Sequence, residues 1–186
     1  LGYIGSHTVV ELQHQGHDVV TVDNLSNSSK DVLEGIEAIT GKKPVFKELD
    51  LREKPKVQSF FEKYSDITGV IHFAASKAVG ESVENPLLYY ENNLGALVYI
   101  LQELKKKDGV SFIFSSSCTV YGQAGQMPIS ESATIKPAES PYGNTKQVGE
   151  EIIRDTCEVS PKLKAIALRY FNPIGAHPSV KLGELP

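Results

Sequence analysis

Apolar residues in this chain come as short continuous runs, separated by longer stretches in which they recur at helical spacing. The runs are Val19-Val20-Thr21-Val22, Val45-Phe46 leading to Leu49, Gly69-Val70-Ile71-His72-Phe73, Ser111-Phe112-Ile113-Phe114-Ser115 and Ala165-Ile166-Ala167-Leu168-Arg169. Continuous apolarity, rather than strict alternation, predicts strands of a parallel sheet covered on both faces. Helices are predicted from Tyr3 to Gly16, from Val57 to Tyr64 and from Leu87 to Lys107, the last with a basic end at Lys105-Lys106-Lys107 that suits a helix carboxyl terminus. Ser140-Pro141 opens a further helix, with Ser as N-cap and Pro at the first helical position. Strand and helix alternate, so the predicted class is α/β, a doubly wound, Rossmann-like parallel sheet. No internal repeat or low-complexity segment interrupts it.

Composition narrows the partners. The net charge is -4 and the pI about 5.8, which argues against a nucleic-acid partner, since that usually needs a basic face. No apolar run approaches the roughly 20 residues of a membrane span, and no signal-peptide pattern opens the chain. Cys118 and Cys157 lack metal-ligand spacing and read as free thiols of a reducing, cytoplasmic compartment. His7, His14, His17, His72 and His177 form no ligand pattern, so no metal is assigned.

The candidate chemistry centres on Tyr142-Gly143-Asn144-Thr145-Lys146. Tyr142 and Lys146 are four residues apart, one turn along one helix face. A phenol is a poor base at neutral pH, and a nearby ammonium favours its ionised form. Ser117 ends an apolar run 25 positions before Tyr142 and can hold a substrate alcohol against the same phenol. Together the three suit removal of a proton from a sugar hydroxyl while a hydride leaves its carbon. A Tyr and a Lys at this spacing also occur on ordinary solvated helix faces.

A second set of signals concerns a dinucleotide. Gly2 and Gly5 stand as the last two glycines of a Gly-x-x-Gly-x-x-Gly turn, which lets backbone N–H groups approach a pyrophosphate at a helix amino terminus. Asp23 ends the next strand 18 residues after Gly5, where a carboxylate can accept both ribose hydroxyls and repel a 2′-phosphate; a helix cap is its other reading. The spacing favours NAD over NADP. Asp50 ends the following strand unit and can accept an adenine amino group or cap a helix. Phe73-Ala74-Ala75 offers small residues at a strand end, and Lys77 beyond can meet a phosphate or ribose. The turn at Gly2 normally follows a strand, and Gly183-Glu184-Leu185-Pro186 reads as loop. The expectation is therefore a domain cut at both ends, lacking its first, central strand and most of a substrate domain.

Six blocks taken in order carry a resemblance. They are Gly2-Tyr3-Ile4-Gly5-Ser6-His7-Thr8, Val22-Asp23-Asn24-Leu25-Ser26-Asn27, His72-Phe73-Ala74-Ala75, Ser115-Ser116-Ser117-Cys118-Thr119-Val120-Tyr121-Gly122, Ser140-Pro141-Tyr142-Gly143-Asn144-Thr145-Lys146 and Arg169-Tyr170-Phe171-Asn172-Pro173-Ile174-Gly175-Ala176-His177-Pro178. The chain resembles the UDP-glucose 4-epimerase family of extended short-chain dehydrogenases/reductases over essentially its whole length. Cys118 stands where many members carry Ala.

The resemblance implies NAD contacts at Gly2, Tyr3, Ile4 and Gly5, at Asp23, Asn24, Leu25, Ser26, Asn27 and Ser28, at Asp50 and Leu51, and at Phe73, Ala74, Ala75, Ser76 and Lys77. It adds Asn92, Tyr170 and Phe171 as cofactor or sugar contacts and Asn172 as a UDP-sugar contact, and it makes Ser117, Tyr142 and Lys146 the catalytic set. The implied reaction interconverts UDP-galactose and UDP-glucose: Tyr142 takes the 4-hydroxyl proton, the C4 hydride passes to NAD, and a bound 4-keto sugar turns over and takes it back on its other face. A homodimer is implied for the full-length protein. A dehydratase would carry an acidic pair after Ser117, where Cys118-Thr119 stands. Another UDP-sugar (UDP-N-acetylhexosamine or UDP-glucuronate) and an inert nucleotide-binding piece remain as alternatives. Residues 1–172 are expected to form the NAD-binding domain and 173–186 the start of the sugar-binding one. The 186-residue chain alone is expected to hold NAD weakly and not to epimerise sugars.

Overall fold

The computed structural model describes residues 1–125 and 127–184. It is an α/β structure in which every strand pairing is parallel, as the runs predict. The elements in order are α1 (Tyr3–His14), β1 (Val20–Asp23), α2 (Asp31–Thr40), β2 (Val45–Glu48), α3 (Lys54–Lys63), β3 (Gly69–His72), α4 (Val79–Glu84), α5 (Pro86–Tyr89), a π-helical turn (Tyr90–Gly95), α6 (Ala96–Leu104), β4 (Ser111–Ser117), a 3₁₀ turn (Cys118–Tyr121), α7 (Pro141–Val159) and β5 (Lys164–Tyr170). The strands fall into two sheets, β1-β2 and β3-β4-β5. The chain divides into two compact units, one of residues 1–50 with the segment from Pro173 onward and one of residues 51–172.

In the first unit, β1 runs beside β2 with Val20 opposite Val45 and Asp23 opposite Glu48. Its core joins Val9 and Val10 of α1 to Ile36 of α2 and to Leu182, which arrives from the far end of the chain. Gly35 makes that return possible. A Cβ there would lie 2.7 Å from the Lys181 carbonyl oxygen and 3.0 Å from a Leu182 methyl. The same segment meets the start of α1, where the Tyr3 hydroxyl donates to the Gly175 carbonyl at 2.8 Å. Helix α2 lies outside the expected set, although Val32, Leu33, Ile36 and Ile39 carry its apolar stripe.

The second unit is built on β4, with Ser111 opposite Gly69 of β3 and Lys164 of β5. Leu97, Ile100, Leu101 and Leu104 of α6 pack with Phe112 and Phe114 of β4, Val57 and Phe61 of α3 and Ile153 of α7. Strand β5 is less covered: Ile166 and Leu168 remain exposed. The helix expected over 87–107 is not continuous, because a π-helical turn separates α5 from α6. Helix α7 begins as predicted, with the Ser140 hydroxyl accepting from the Gly143 N–H at 3.1 Å and Pro141 following. Of the expected terminal loop, Gly183 and Glu184 are irregular, and Leu185 and Pro186 lie outside the described residues. Among the described residues no helix is long and apolar enough to cross a membrane.

Substituting Gly35→Ala should therefore destabilise the fold by about 1–3 kcal/mol, because the carbonyl of Lys181 is backbone and must shift. Gly80→Ala in α4, where a Cβ meets nothing within 4 Å, is the matched control and should cost nothing. Chemical denaturation of both variants against the unchanged protein checks this.

Candidate functional site

Parallel pairing brings the carboxyl ends of β3, β4 and β5 to one edge, with Ser117 opposite Tyr170 and His72 opposite Phe114. Ligands of open α/β sheets bind at such edges. Ser117 is buried at the end of β4, and its Oγ accepts the Thr119 N–H at 3.2 Å. That bond leaves the Ser117 O–H free to donate. Helix α7 lies against β4 and brings in Tyr142 and Lys146. The contact is close at Gly149, where a Cβ would fall 2.9 Å from the Phe114 ring.

Lys146 is 4% exposed, although it carries an ammonium. Its Nζ donates to the Ser115 carbonyl at 2.8 Å and lies 4.9 Å from the Phe114 ring centroid and 5.7 Å from that of Tyr142. Burial pulls its pKa down to about 8. His72, stacked between Phe112 and Phe114, is pushed down to about 3 by burial and then by the Lys146 charge.

Tyr142 differs from the sequence expectation in one respect. Burial raises its pKa, the Ser117 hydroxyl opposes that rise as a hydrogen-bond partner, and Cys118 adds to it. The ammonium of Lys146 is directed to the Ser115 carbonyl and lies over the tyrosine ring. Tyr89 packs edge-on against Tyr142 with ring centroids 6.5 Å apart. Its own pKa is pushed up to about 12, by burial first and by Glu81, which accepts its hydroxyl proton at 2.6 Å.

A polar network behind these groups was not anticipated. Asn93, buried in the π-helical turn, accepts the Ser76 N–H at 2.8 Å and donates to the Ser76 carbonyl at 3.0 Å and to Thr145 Oγ1 at 3.1 Å. Thr145 donates to the Tyr142 carbonyl at 2.7 Å. The predicted Asn92 donates to the Ser76 hydroxyl at 3.0 Å. The loop after β3 is thus tied to the helix that carries Tyr142. The only advance signal for Asn93 was its adjacency to Asn92, and π-turns often mark functional sites. Phe73 and Tyr170, both predicted, face one another with centroids 6.4 Å apart. Ala74 and Lys77 lie exposed in the same loop, with Ala75 half-buried, and Phe171 and Asn172 lie exposed beyond β5. Leu51 packs on the second unit's core.

The remaining predicted residues belong to the first unit. Gly2 caps α1 in extended conformation, with no capping side chain, and a Cβ on it would meet nothing within 4 Å. The first-turn N–H groups of Tyr3, Ile4 and Gly5 therefore have no side-chain partner of that kind. Asp23 ends β1, and its Oδ1 accepts the Leu25 N–H at 2.8 Å. Asp23 does not cap α2, whose start carries no side-chain cap; it closes the turn in which Leu25 has φ +60°. Asn24 reaches Asp50 at 3.4 Å, and its own side chain accepts the Ser26 N–H at 3.1 Å. Asn27 is exposed and Ser28 half-buried in the same loop. An open helix amino terminus and a carboxylate at the end of the next strand are the features a dinucleotide's pyrophosphate and ribose require.

Comparison with known proteins finds relatives along the whole chain. The model of the NAD dependent epimerase/dehydratase family matches residues 1–184. UDP-glucose 4-epimerase of Bacillus subtilis is 50% identical over 186 residues, and that of Haemophilus influenzae 48% over 185; each comparison covers 100% of this chain and 54% of the relative. The chain thus spans about half the length of the curated relatives it matches. Among solved structures, UDP-glucose 4-epimerase from Bifidobacterium longum in complex with NAD+ and UDP superposes with a TM-score of 0.94 at 44% identity, over 98% of this chain and 54% of that one. The enzyme from Stenotrophomonas maltophila with bound NAD and formylated UDP-arabinopyranose gives 0.93 at 46%, over 100% and 55%.

The buried neutral imidazole predicts acid lability. The folded pKa of His72 is below its unfolded value, so the unfolded state binds the extra proton between about pH 6.5 and about pH 3. Stability from this group is unaffected above that window and falls through it by about 1.4 kcal/mol per pH unit at most. His72→Phe should flatten that part of the stability–pH curve measured by denaturant melts.

Proposed function

The chain belongs to the NAD dependent epimerase/dehydratase family, and on that footing we propose that the whole protein interconverts UDP-galactose and UDP-glucose. The observation that carries this reading is the convergence of the Ser117 hydroxyl, the Tyr142 phenol and the buried Lys146 at one sheet edge. NAD, when bound, supplies a hydride acceptor that is regenerated within each cycle.

Tyr142 takes the proton from the 4-hydroxyl of the UDP-hexose and returns it. Ser117 has one free O–H, which serves the phenol and the reacting oxygen in turn. Lys146 supplies a fixed positive charge that favours the phenolate and holds ribose hydroxyls. A positioned general base of this kind contributes typically 10²–10⁴-fold. Gly2, Tyr3, Ile4 and Gly5 would hold the pyrophosphate, Asp23 through Ser28 the adenosine ribose and Asp50 and Leu51 the adenine, while Phe73 through Lys77 also line NAD and Asn92, Tyr170 and Phe171 meet cofactor or sugar. Asn172 meets the UDP-sugar. In this reading residues 1–172 serve the cofactor, and the segment from 173 begins the sugar-binding part. A homodimer and a cytoplasmic location belong to the same proposal; the free thiols Cys118 and Cys157 are in keeping with a reducing compartment. The side chains after Ser117 are a thiol and a hydroxyl, which supports epimerisation over dehydration.

Supplying the whole protein with UDP-galactose should yield UDP-glucose without net change in NAD; release of a 4-keto-6-deoxy sugar would overturn the assignment. Tyr142→Phe should lower kcat by at least about 100-fold while NAD titration stays within a few-fold. Asp23→Asn should weaken NAD and narrow the preference over NADP, because the repulsion of a 2′-phosphate is lost; equal affinity ratios before and after would remove Asp23 from the ribose site.

A further inference from the structure

We infer that Arg169 and Glu150 are positioning residues that hold Ser117 and Tyr142 in register. The inference rests on the reaction proposed above. Glu150 lies four residues beyond Lys146 and eight beyond Tyr142, on the same face of α7. Its carboxylate accepts two bonds from Arg169 of β5, at 3.0 and 2.7 Å, and a third from the Ser116 hydroxyl of β4 at 2.5 Å. Arg169 spends its remaining arm on the Tyr121 hydroxyl at 3.0 Å, and its guanidinium lies 4.9 Å from the Tyr121 ring centroid. Ser116 immediately precedes Ser117, and Tyr121 closes the 3₁₀ turn that follows it.

One ion pair therefore ties the strand before Ser117, the turn after it and the helix that carries Tyr142. Among the described residues neither charged group bonds Ser117 or Tyr142, so each acts through its neighbours. The pair is largely buried, at 22% and 15% exposure. Buried pairs are often no more stabilising than apolar residues of the same size. Their two-pronged geometry does fix orientation, and a lysine cannot reproduce it. Ser117 opposes the upward shift of the phenol, so its alignment bears on the strength of the base.

The test uses the whole protein with Glu150→Gln and, separately, Arg169→Lys. Each should lower kcat by about 10- to 100-fold, the cost of a displacement of about 1 Å. KM for the UDP-hexose should stay within about twofold. The acid limb of the kcat–pH profile should move to higher pH, as it should in Ser117→Ala. The phenol's own titration, read as the ultraviolet difference from the matching Tyr142→Phe protein, should move the same way without reference to turnover. The groups facing that phenol are Ser117 and Cys118, Lys146 on its own helix, and Tyr89 of α5 with Glu81 behind it; both variants leave all of them in place. A fall in melting temperature with kcat, pH limb and phenol titration unmoved would overturn the inference and leave a structural role only. Should either variant fail to fold, Tyr121→Phe, which removes one bond alone, must show the same direction of shift or the inference fails. Full activity in Tyr142→Phe would sink the proposed reaction and this inference with it; an inactive Tyr142→Phe beside an unaltered Glu150→Gln would sink the inference alone.

Discussion

The second unit depends on how closely α7 can lie on β4. Gly149 faces the Phe114 ring at a distance that admits no side chain. Because the helix lies that low, Lys146 is carried beneath the surface, and its ammonium finds the Ser115 carbonyl as partner. An isolated buried charge is costly, and here the cost is offset by one backbone bond and the face of Phe114. The same approach sets Tyr142 beside Ser117. A bulkier residue at 149 would lift all three groups away from the strand end together.

Burying a charge here constrains its neighbours. His72 is held neutral by its surroundings and by Lys146, so the interior near the site carries one positive charge rather than two. Asn93 and Thr145 then satisfy the polar backbone between the β3 loop and α7 without adding charge. Polar groups in such a place are tolerable only when each is bonded. The outcome is a buried positive charge at Lys146, with the Arg169–Glu150 pair balancing itself behind it.

Much of this was legible in sequence because it follows local rules. The five apolar runs became the five strands, and Ser140-Pro141 started α7 through the expected cap. Tyr142 and Lys146 were visible because four-residue spacing puts them on one helix face. Less visible were features that need a partner distant in sequence. The depth of Lys146 depends on Gly149 meeting Phe114, which no local pattern records. The role of Asn93 depends on a π-helical turn that shifts the helix phase, and the expected continuous helix over 87–107 concealed it. Leu182 reads as a residue of a loop, yet it fills the core of the first unit because Gly35 leaves room. Arg169 did leave a trace, as a charge closing an apolar strand run, and Glu150 another, as the next carboxylate along the helix after Tyr142 and Lys146.

The direction of the Tyr142 shift decides which neighbour matters for basicity. A buried phenol resists ionisation, and the thiol of Cys118 works in the same direction as burial. Tyr89 brings no relief, since its hydroxyl already donates to Glu81 and brings a carboxylate nearer. Lys146 has the right sign, but its ammonium is directed to the Ser115 carbonyl and lies over the ring rather than at the phenolic oxygen. The hydroxyl of Ser117 remains as the group that opposes the rise directly. It can do so because its oxygen is already occupied by the Thr119 N–H, which turns its proton outward as a donor. In the proposed reaction the strength of the base then depends on a serine rotamer set by the backbone turn behind it, and so on whatever keeps that turn in place.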